Sequence, residues 1–323
     1  MGKVIPWIIT LSIALPAWSQ PAWRPDKPVE FTVATVAGGN SDKITRLAQK
    51  ILLDRKLVMA PIVVSNRTGG NQTLALNHVS QHPGDAHYAM LSNPVLFTNE
   101  LRGIVKTRYS EMTPLALLMI ENTVLAVRSA SPIRNMIDLA ARMKSDPDAV
   151  SFALPARGGQ PHLTAAVGVR AAGVDPNKMK IVVFKGSGES IAAVLGGHVE
   201  VMVSSSGSVL SLVQSGQMRV IGVAAAQRMG GAFANSPTYR EQGINTTGIA
   251  AWRGLHGPRG LTPLQLAFWD DALGKVAESS EWKKHLEEGD LTQQFMRSRE
   301  FAQYLDAEYA ATRAAMAELG LVK

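Results

Sequence analysis

Three stretches of this chain join an apolar run to a helical pattern through glycine, which is an arrangement suited to holding an anion. The first is Ala37-Gly38-Gly39-Asn40-Ser41-Asp42. It follows the extended run Val29 to Val36 and precedes a pattern with Ile44, Leu47, Ala48, Ile51 and Leu52 on one face. The first N–H groups of a helix have no internal partner, and the macrodipole adds partial positive charge there. Glycine lets the backbone approach a ligand closely. The competing reading is a plain strand-to-helix turn with Asn40 or Ser41 as N-cap. The second junction is Pro155-Ala156-Arg157-Gly158-Gly159-Gln160-Pro161-His162-Leu163, with Pro161 suited to a first helical turn. The third is Lys185-Gly186-Ser187-Gly188-Glu189-Ser190. Helix starts offered by two domains to one cleft would grip an anion from both sides.

Other chemistry is thinly represented. Neither nucleotide motif, GxxxxGK[ST] or GxGxxG, is met, and neither a G-x-S-x-G elbow nor an HExxH is present. The chain has no cysteine, which excludes a lipobox, a disulfide, a thiol nucleophile and thiolate metal ligands. His78 and His82 have zinc-compatible spacing, but Pro83 ends their helix and no carboxylate completes the set, so no metal and no cofactor is expected. Ser280 and Lys283 have SxxK spacing on what reads as an exposed helix. Lys185 is either an anion contact or a nucleophile, and the surrounding glycines favour contact. His162, one turn into a helix, is read as packed and hydrogen-bonded before it is read as a base.

The elements around these stretches spell an α/β fold. Val29 to Val36 and Ile62 to Val64 flank a helix over Ser41 to Leu53, a βαβ unit whose parallel strands imply a doubly wound sheet. A helix near Gln72 to Ser80 and a strand from Tyr88 to Leu91 follow. Ligands of such sheets gather beyond the C-terminal strand ends, which makes Ser92 and Asn93 candidates. Strands Leu115 to Ile120 and Thr123 to Val127 meet at Glu121-Asn122, where the chain is expected to cross into a second domain. That domain holds strands Val150 to Leu154, Ile181 to Phe184, Val199 to Val203 and Met218 to Ala224. The return crossing falls near Ile244, and helices over Pro263 to Ser279, Glu281 to Glu288 and Arg299 to Leu319 pack back on the first domain. The division is thus a leader over 1–19, one lobe from 20–122 plus 245–323, and a second from 123–244.

The leader reading rests on Val4 to Leu15, apolar but short for a bilayer, and on Ala17-Trp18-Ser19 at a cleavage position. The chain carries 33 Lys+Arg against 26 Asp+Glu, and losing Lys3 with the leader leaves +6. A basic surface steers anions, but its charges are dispersed without a Lys/Arg run, which disfavours nucleic acid.

Several motifs in order along the chain resemble those of the extracytoplasmic solute receptors of tripartite tricarboxylate transporters, the Bug or TctC type. Arg24-Pro25-Asp26-Lys27-Pro28-Val29 resembles the family's Y-P-D-K-P-I, and Ala37-Gly38-Gly39 through Asp42 its A-G-G-x-x-D. Asn66-Arg67 with Gly69 matches N-R-x-G, and His162-Leu163 matches the H-L after its glycine loop. Val183-Phe184-Lys185-Gly186-Ser187 resembles V-P-Y-K-G-S, and Leu195-Gly196-Gly197-His198-Val199-Glu200 resembles L-G-G-x-V-D. Gly254-Leu255, Gly257-Pro258 and Thr262-Pro263 resemble G-L-x-A-P-x-G-T-P.

The resemblance implies a periplasmic binding protein of type II: two Rossmann-like lobes that close on a small carboxylated solute, without catalysis, as a monomer serving integral-membrane transporter subunits. Carried over by position, the ligand contacts would be Ala37, Gly38, Gly39, Asp42, Ser92 and Asn93 from the first lobe, and Gly158, Gly159, His162, Lys185 and Gly186 from the second. The chain departs from the pattern at Ala34-Thr35-Val36, where a proline and an aromatic usually precede A-G-G, in a shorter N-R-x-G loop, and at two positions of the second lobe. Arg157 stands where asparagine is frequent, and Ser204 where an aspartate often meets a ligand ammonium. Both shift the cleft toward anions, and so toward a dicarboxylate or another acid lacking an amino group. The alternatives are an exported α/β enzyme such as a hydrolase, with Lys185 or His162 in its chemistry, and a module that presents its ligand to a sensor kinase. Cleavage after Ser19 predicts an exported protein that begins at Gln20 with no lipid, which intact-mass measurement checks; a retained leader or added lipid mass would contradict it.

Overall fold

The computed structural model describes residues 23–184, 187–289, 291 and 293–322. The leader, Lys185 and Gly186 lie outside the described residues. In the first lobe the chain runs β1 (Val29–Val33), α1 (Asn40–Asp54), β2 (Ile62–Asn66), α2 (Thr73–Ser80), β3 (Tyr88–Ser92), α3 (Val95–Leu101) and β4 (Thr113–Glu121). The second lobe follows with β5 (Thr123–Arg128), α4 (Met136–Ser145), β6 (Ser151–Leu154), α5 (Gln160–Ala171), β7 (Lys180–Val183), α6 (Ser187–Leu195), β8 (Val201–Ser205), α7 (Ser206–Gln214) and β9 (Met218–Ala224). The chain then returns through β10 (Ala251–Gly257), α8 (Pro263–Glu278), α9 (Ser280–Glu288), β11 (Met296–Arg297) and α10 (Ser298–Glu318).

Each lobe is built on one sheet, with strand order β11-β4-β10-β3-β1-β2 in the first and β7-β6-β8-β5-β9 in the second. The βαβ units are parallel, as their periodicity predicts: β1 with β2 and β3, β6 with β7 and β8. The sheets are nonetheless mixed. Strand β5 runs antiparallel to β8 and β9, and β10 antiparallel to β3 and β4. The cause is the position of the crossings at the C-terminal edges of the parallel strands. Thr123 opens β5 opposite Ser205 at the end of β8, and Ala251 opens β10 opposite Glu121 at the end of β4. A strand that enters a sheet from that edge has to run back against its neighbours. Asn122 alone separates β4 from β5, whereas the return runs from Ile244, buried in the second lobe's core, to Ala251.

Strand β1 stops three residues short of the expected Val36. Its partner β2 ends at Asn66, paired with Val33, and the Asn66 side chain then takes the Thr35 carbonyl at 2.9 Å. The N-cap of α1 is Gly39, with no side-chain cap bond, rather than Asn40 or Ser41. Asn40 instead donates to Glu121 at the crossing.

The first lobe packs Phe31, Ile44 and Leu52 under α8 and α9 through Trp269 and Trp282, with Phe97, Trp252 and Phe301 on the other face of the sheet. The second lobe is sealed by Phe152, Tyr239 and their aliphatic neighbours on one face and by Phe233 on the other. Helix α10 joins the two lobes. Its early residues Phe301 and Leu305 are in the first lobe's core, while Ala315 and Met316 pack with Leu163 of α5. Arg170 of α5 pairs with Glu318 at its end. Among the described residues no helix is long and apolar enough to cross a membrane.

Gly248 on the return crossing is held at φ +71°, and a Cβ there would meet Thr164 Cγ2 at 2.6 Å. Gly248→Ala is expected to cost about 1–3 kcal/mol in urea unfolding, from backbone strain and overpacking together. Gly230→Ala, where nothing lies within 4 Å, is the control and is expected to stay within about 0.5 kcal/mol of wild type.

Candidate functional site

Between the lobes lies a cavity of about 330 Å³, within the range of small-molecule sites. The second lobe supplies its wall from three helix starts: Gly159 and Gln160 at α5, Ser187 and Ser190 at α6, and Ser205 and Ser208 at α7. Each start adds partial positive charge without a formal one, and the serine hydroxyls add donors that rotate to suit. The first lobe supplies Asn93 to Val95, Glu121, and Ala251 and Arg253 of β10.

The wall is stitched to the crossings. Gln160 Nε2 lies within hydrogen-bond reach of Thr123 Oγ1 at 3.0 Å, of Thr164 Oγ1 at 2.9 Å and of the Ile249 carbonyl. Thr164 Oγ1 donates to the same carbonyl at 2.8 Å, and the Ser206 N–H at the start of α7 donates to the Asn122 carbonyl at 2.9 Å. A ligand touching Gln160 therefore touches a residue that holds both chain crossings.

The residues expected from sequence divide sharply. Asn93, Gly159 and Ser204 line the cavity. Ala37, Gly38 and Gly39 form the loop before α1, with Ala37 and Gly38 exposed, and none of them is on the cavity wall. The Gly38 N–H is bonded to Asp42 Oδ2 at 2.8 Å within the loop itself. Asp42 is buried and also accepts from Arg46 Nε and Asn66 Nδ2, each at 2.9 Å. Burial pushes its pKa up, but Arg46, the Gly38 N–H and Asn66 outweigh burial and bring it down to about 2. The first glycine loop thus carries its own anion.

Ser92 is turned into the first lobe's core, where Oγ donates to the Gly254 carbonyl at 3.0 Å and meets His256 Nδ1. Both residues are at most 1% exposed, and burial drives the His256 pKa down to about 3. A serine–histidine contact sealed in this way is a packing feature, out of reach of any substrate. Arg157 is exposed and off the cavity wall. Gly158 is buried and donates its N–H to His162 Nδ1 at 2.9 Å. His162 is itself buried, and desolvation, aided by the Arg157 charge, lowers its pKa to about 4. The neutral ring is the form that accepts the Gly158 bond.

Sequence reasoning missed Glu121, Arg253, Gln160 and the serines of α6 and α7. A usable signal existed for Glu121, the lone charge at the end of an apolar strand, whereas Arg253 lies in a strand whose glycines and histidine hide it. Their pair is close, Arg253 Nη2 to Glu121 Oε2, with side chains only 16% and 6% exposed. Among the described residues no group of three or more His, Cys, Asp or Glu is placed to hold a metal ion.

Asp42 generates a test of the loop. A depressed folded-state pKa stabilises fully above the ordinary carboxylate value of 3.8, and that contribution is lost as pH falls through about 2. Asp42→Asn is expected to lower stability near neutrality by about 1–2 kcal/mol, allowing for screening at half-exposed Arg46. Urea midpoints from pH 7 down to 2 should converge with wild type at the acid end. A constant gap would show that Asp42 acts through packing alone.

The comparisons with known proteins agree with this architecture. Residues 44–321 match the tripartite tricarboxylate transporter family receptor, TctC. BugT of Bordetella pertussis is 26% identical over 277 residues, spanning 84% of this chain and 82% of that protein. A TctC solute-binding protein from Polaromonas, solved without ligand, superposes with a TM-score of 0.81 at 22% identity, covering 91% of this chain and 99% of that one. MatC from Rhodopseudomonas palustris with bound malate superposes with a TM-score of 0.72 at 23% identity, covering 90% and 99%. With the family match running through both lobes, the chain belongs to the receptors of the tripartite tricarboxylate transporter family.

Proposed function

We propose that this chain is a periplasmic receptor that closes its two lobes on a small carboxylate and passes it to the membrane subunits of a tripartite tricarboxylate-type transporter. The observation that carries the reading is the cavity wall of the second lobe, where three helix starts and their serines converge and no acidic residue of that lobe is among the lining residues, Glu189 in the first turn of α6 lying off the wall. Such a wall suits one carboxylate, because fixed N–H and O–H dipoles replace the water it loses. The bound malate of MatC supports the ligand class.

The acid lacks a free amino group in this reading. Ser204 is on the wall, and its hydroxyl offers an ammonium no compensating charge. The second-carboxylate contact expected of Arg157 is not used in this reading, because Arg157 is exposed and is not among the residues lining the cavity.

A thermal-shift screen across organic acids tests the reading, since a ligand that binds only the folded state raises the melting temperature. At least one small carboxylate is expected to raise it and to be recovered unchanged. Ser208→Asp places a carboxylate at the wall, in the first turn of α7 where the helix tolerates it. That variant should fold normally and bind the selected acid at least about tenfold more weakly. Full affinity in Ser208→Asp, or no shift with any carboxylate, would remove the proposal.

A further inference from the structure

We propose that the Glu121–Arg253 pair on the first-lobe side of the cleft selects the ligand's second polar group, and that it takes a neutral group able both to donate and to accept, a hydroxyl or a carboxamide, over a second carboxylate or an ammonium. The inference rests on the carboxylate reading for the ligand's other end.

The pair is fixed in place. Glu121 ends β4 and Arg253 is the third residue of β10, so both stand on hydrogen-bonded neighbouring strands. Arg253 Nη2 donates to Glu121 Oε2, while Asn40 Nδ2, from the first turn of α1, donates to Oε1. Arg253 Nη1 is anchored on the Trp252 carbonyl at 3.1 Å. Both residues line the cavity.

The pair also has capacity to spare. A guanidinium carries five N–H donors and a carboxylate about four acceptor sites. The bonds above use two of each, which leaves a second N–H on each of Arg253 Nη1 and Nη2, while Nε is buried. The site therefore presents unused donors beside unused acceptors, at a net formal charge of zero. The other polar side chains described on the wall are uncharged.

That charge balance decides between ligands. A second carboxylate placed here is drawn to Arg253 and repelled by Glu121 at similar distances, so the two Coulomb contributions largely cancel. Its lost hydration is then left uncompensated. An ammonium meets the mirror image of the same problem. A hydroxyl or carboxamide loses less hydration, gives its N–H or O–H to Glu121 and accepts from Arg253. A site built with buried donors and acceptors also penalises a ligand that leaves one of them unmade.

Calorimetry on the leaderless protein with four five-carbon acids tests this: 5-hydroxypentanoate, glutaramate, glutarate and 5-aminopentanoate, with the corresponding six-carbon set run alongside for reach. The hydroxyl or amide ligand is expected to bind at least about tenfold more tightly than the diacid and the amino acid of the same length. In Glu121→Gln the repulsion is gone at constant side-chain size, so the diacid should gain at least about tenfold relative to the amide. A diacid or amino acid that binds wild type as tightly as the neutral-ended ligands overturns the inference and leaves the carboxylate reading standing. If no acid in either set binds and the organic-acid screen is also silent, the carboxylate reading falls and takes this inference with it. Should Glu121→Gln not fold, the wild-type series decides alone.

Discussion

The two-lobe arrangement depends on the hydrogen bonds that tie α5 to the chain crossings. A crossing leaves one sheet before it joins the next, so its backbone groups lose their strand partners where they are buried. Side chains take over here. Thr164 and Gln160 satisfy the Ile249 carbonyl, and Gln160 reaches across to Thr123 on the other crossing. Gln160 also faces the cleft. Under the proposed function, the atoms that satisfy the crossings would be among those that meet a solute, and lobe movement and occupancy would share one set of contacts.

The fold was legible to the extent that local pattern reports it. The βα units with Ile44, Leu47 and Ile51 on one face, or Met218 to Ala224 as a run that is apolar but for Arg219, have signals that tertiary context does not override. Strand β10 was not read as a strand, because Arg253, Gly254, His256 and Gly257 break its apolar alternation. Each break has a reason in three dimensions. Gly254 makes room for the Phe301 ring, His256 packs internally against Ser92, and Arg253 turns to the cleft. Helix α7 was missed because Ser206-Gly207-Ser208 reads as a loop, although its N-terminus rests on the Asn122 carbonyl.

The candidate site was less legible than the fold, for a physical reason. A glycine loop before a helix looks the same in sequence whether its N–H groups await a ligand or are already engaged. In the first loop Asp42 is four residues along and folds back onto Gly38, with Arg46 and Asn66 completing its shell. In the second, His162 plays the corresponding part for Gly158, yet Gly159 next to it stays on the cavity wall. Which donors are spent is settled by side chains on the following turn and on neighbouring strands. Glycine spacing does not record that. The lone charge of Glu121 was visible in the sequence, but its meeting with Arg253 required β4 and β10 to become neighbours.

Helix α10 adds a mechanical consequence. Its 21 residues extend about 30 Å, from Phe301 in the first lobe to the Arg170–Glu318 pair on the second. Two chain crossings, at Asn122 and from Ile244 to Ala251, form a narrow link that can both bend and twist. A stiff rod fastened to both bodies away from that link resists the twist while bending survives through slippage at the rod's softer end. Ala315 and Met316 lie at that end, in a small aliphatic contact that can slide with few polar groups to re-pair. Under the proposed function, the molecule would work as a clamshell with a side stay, whose jaws keep their alignment as they swing.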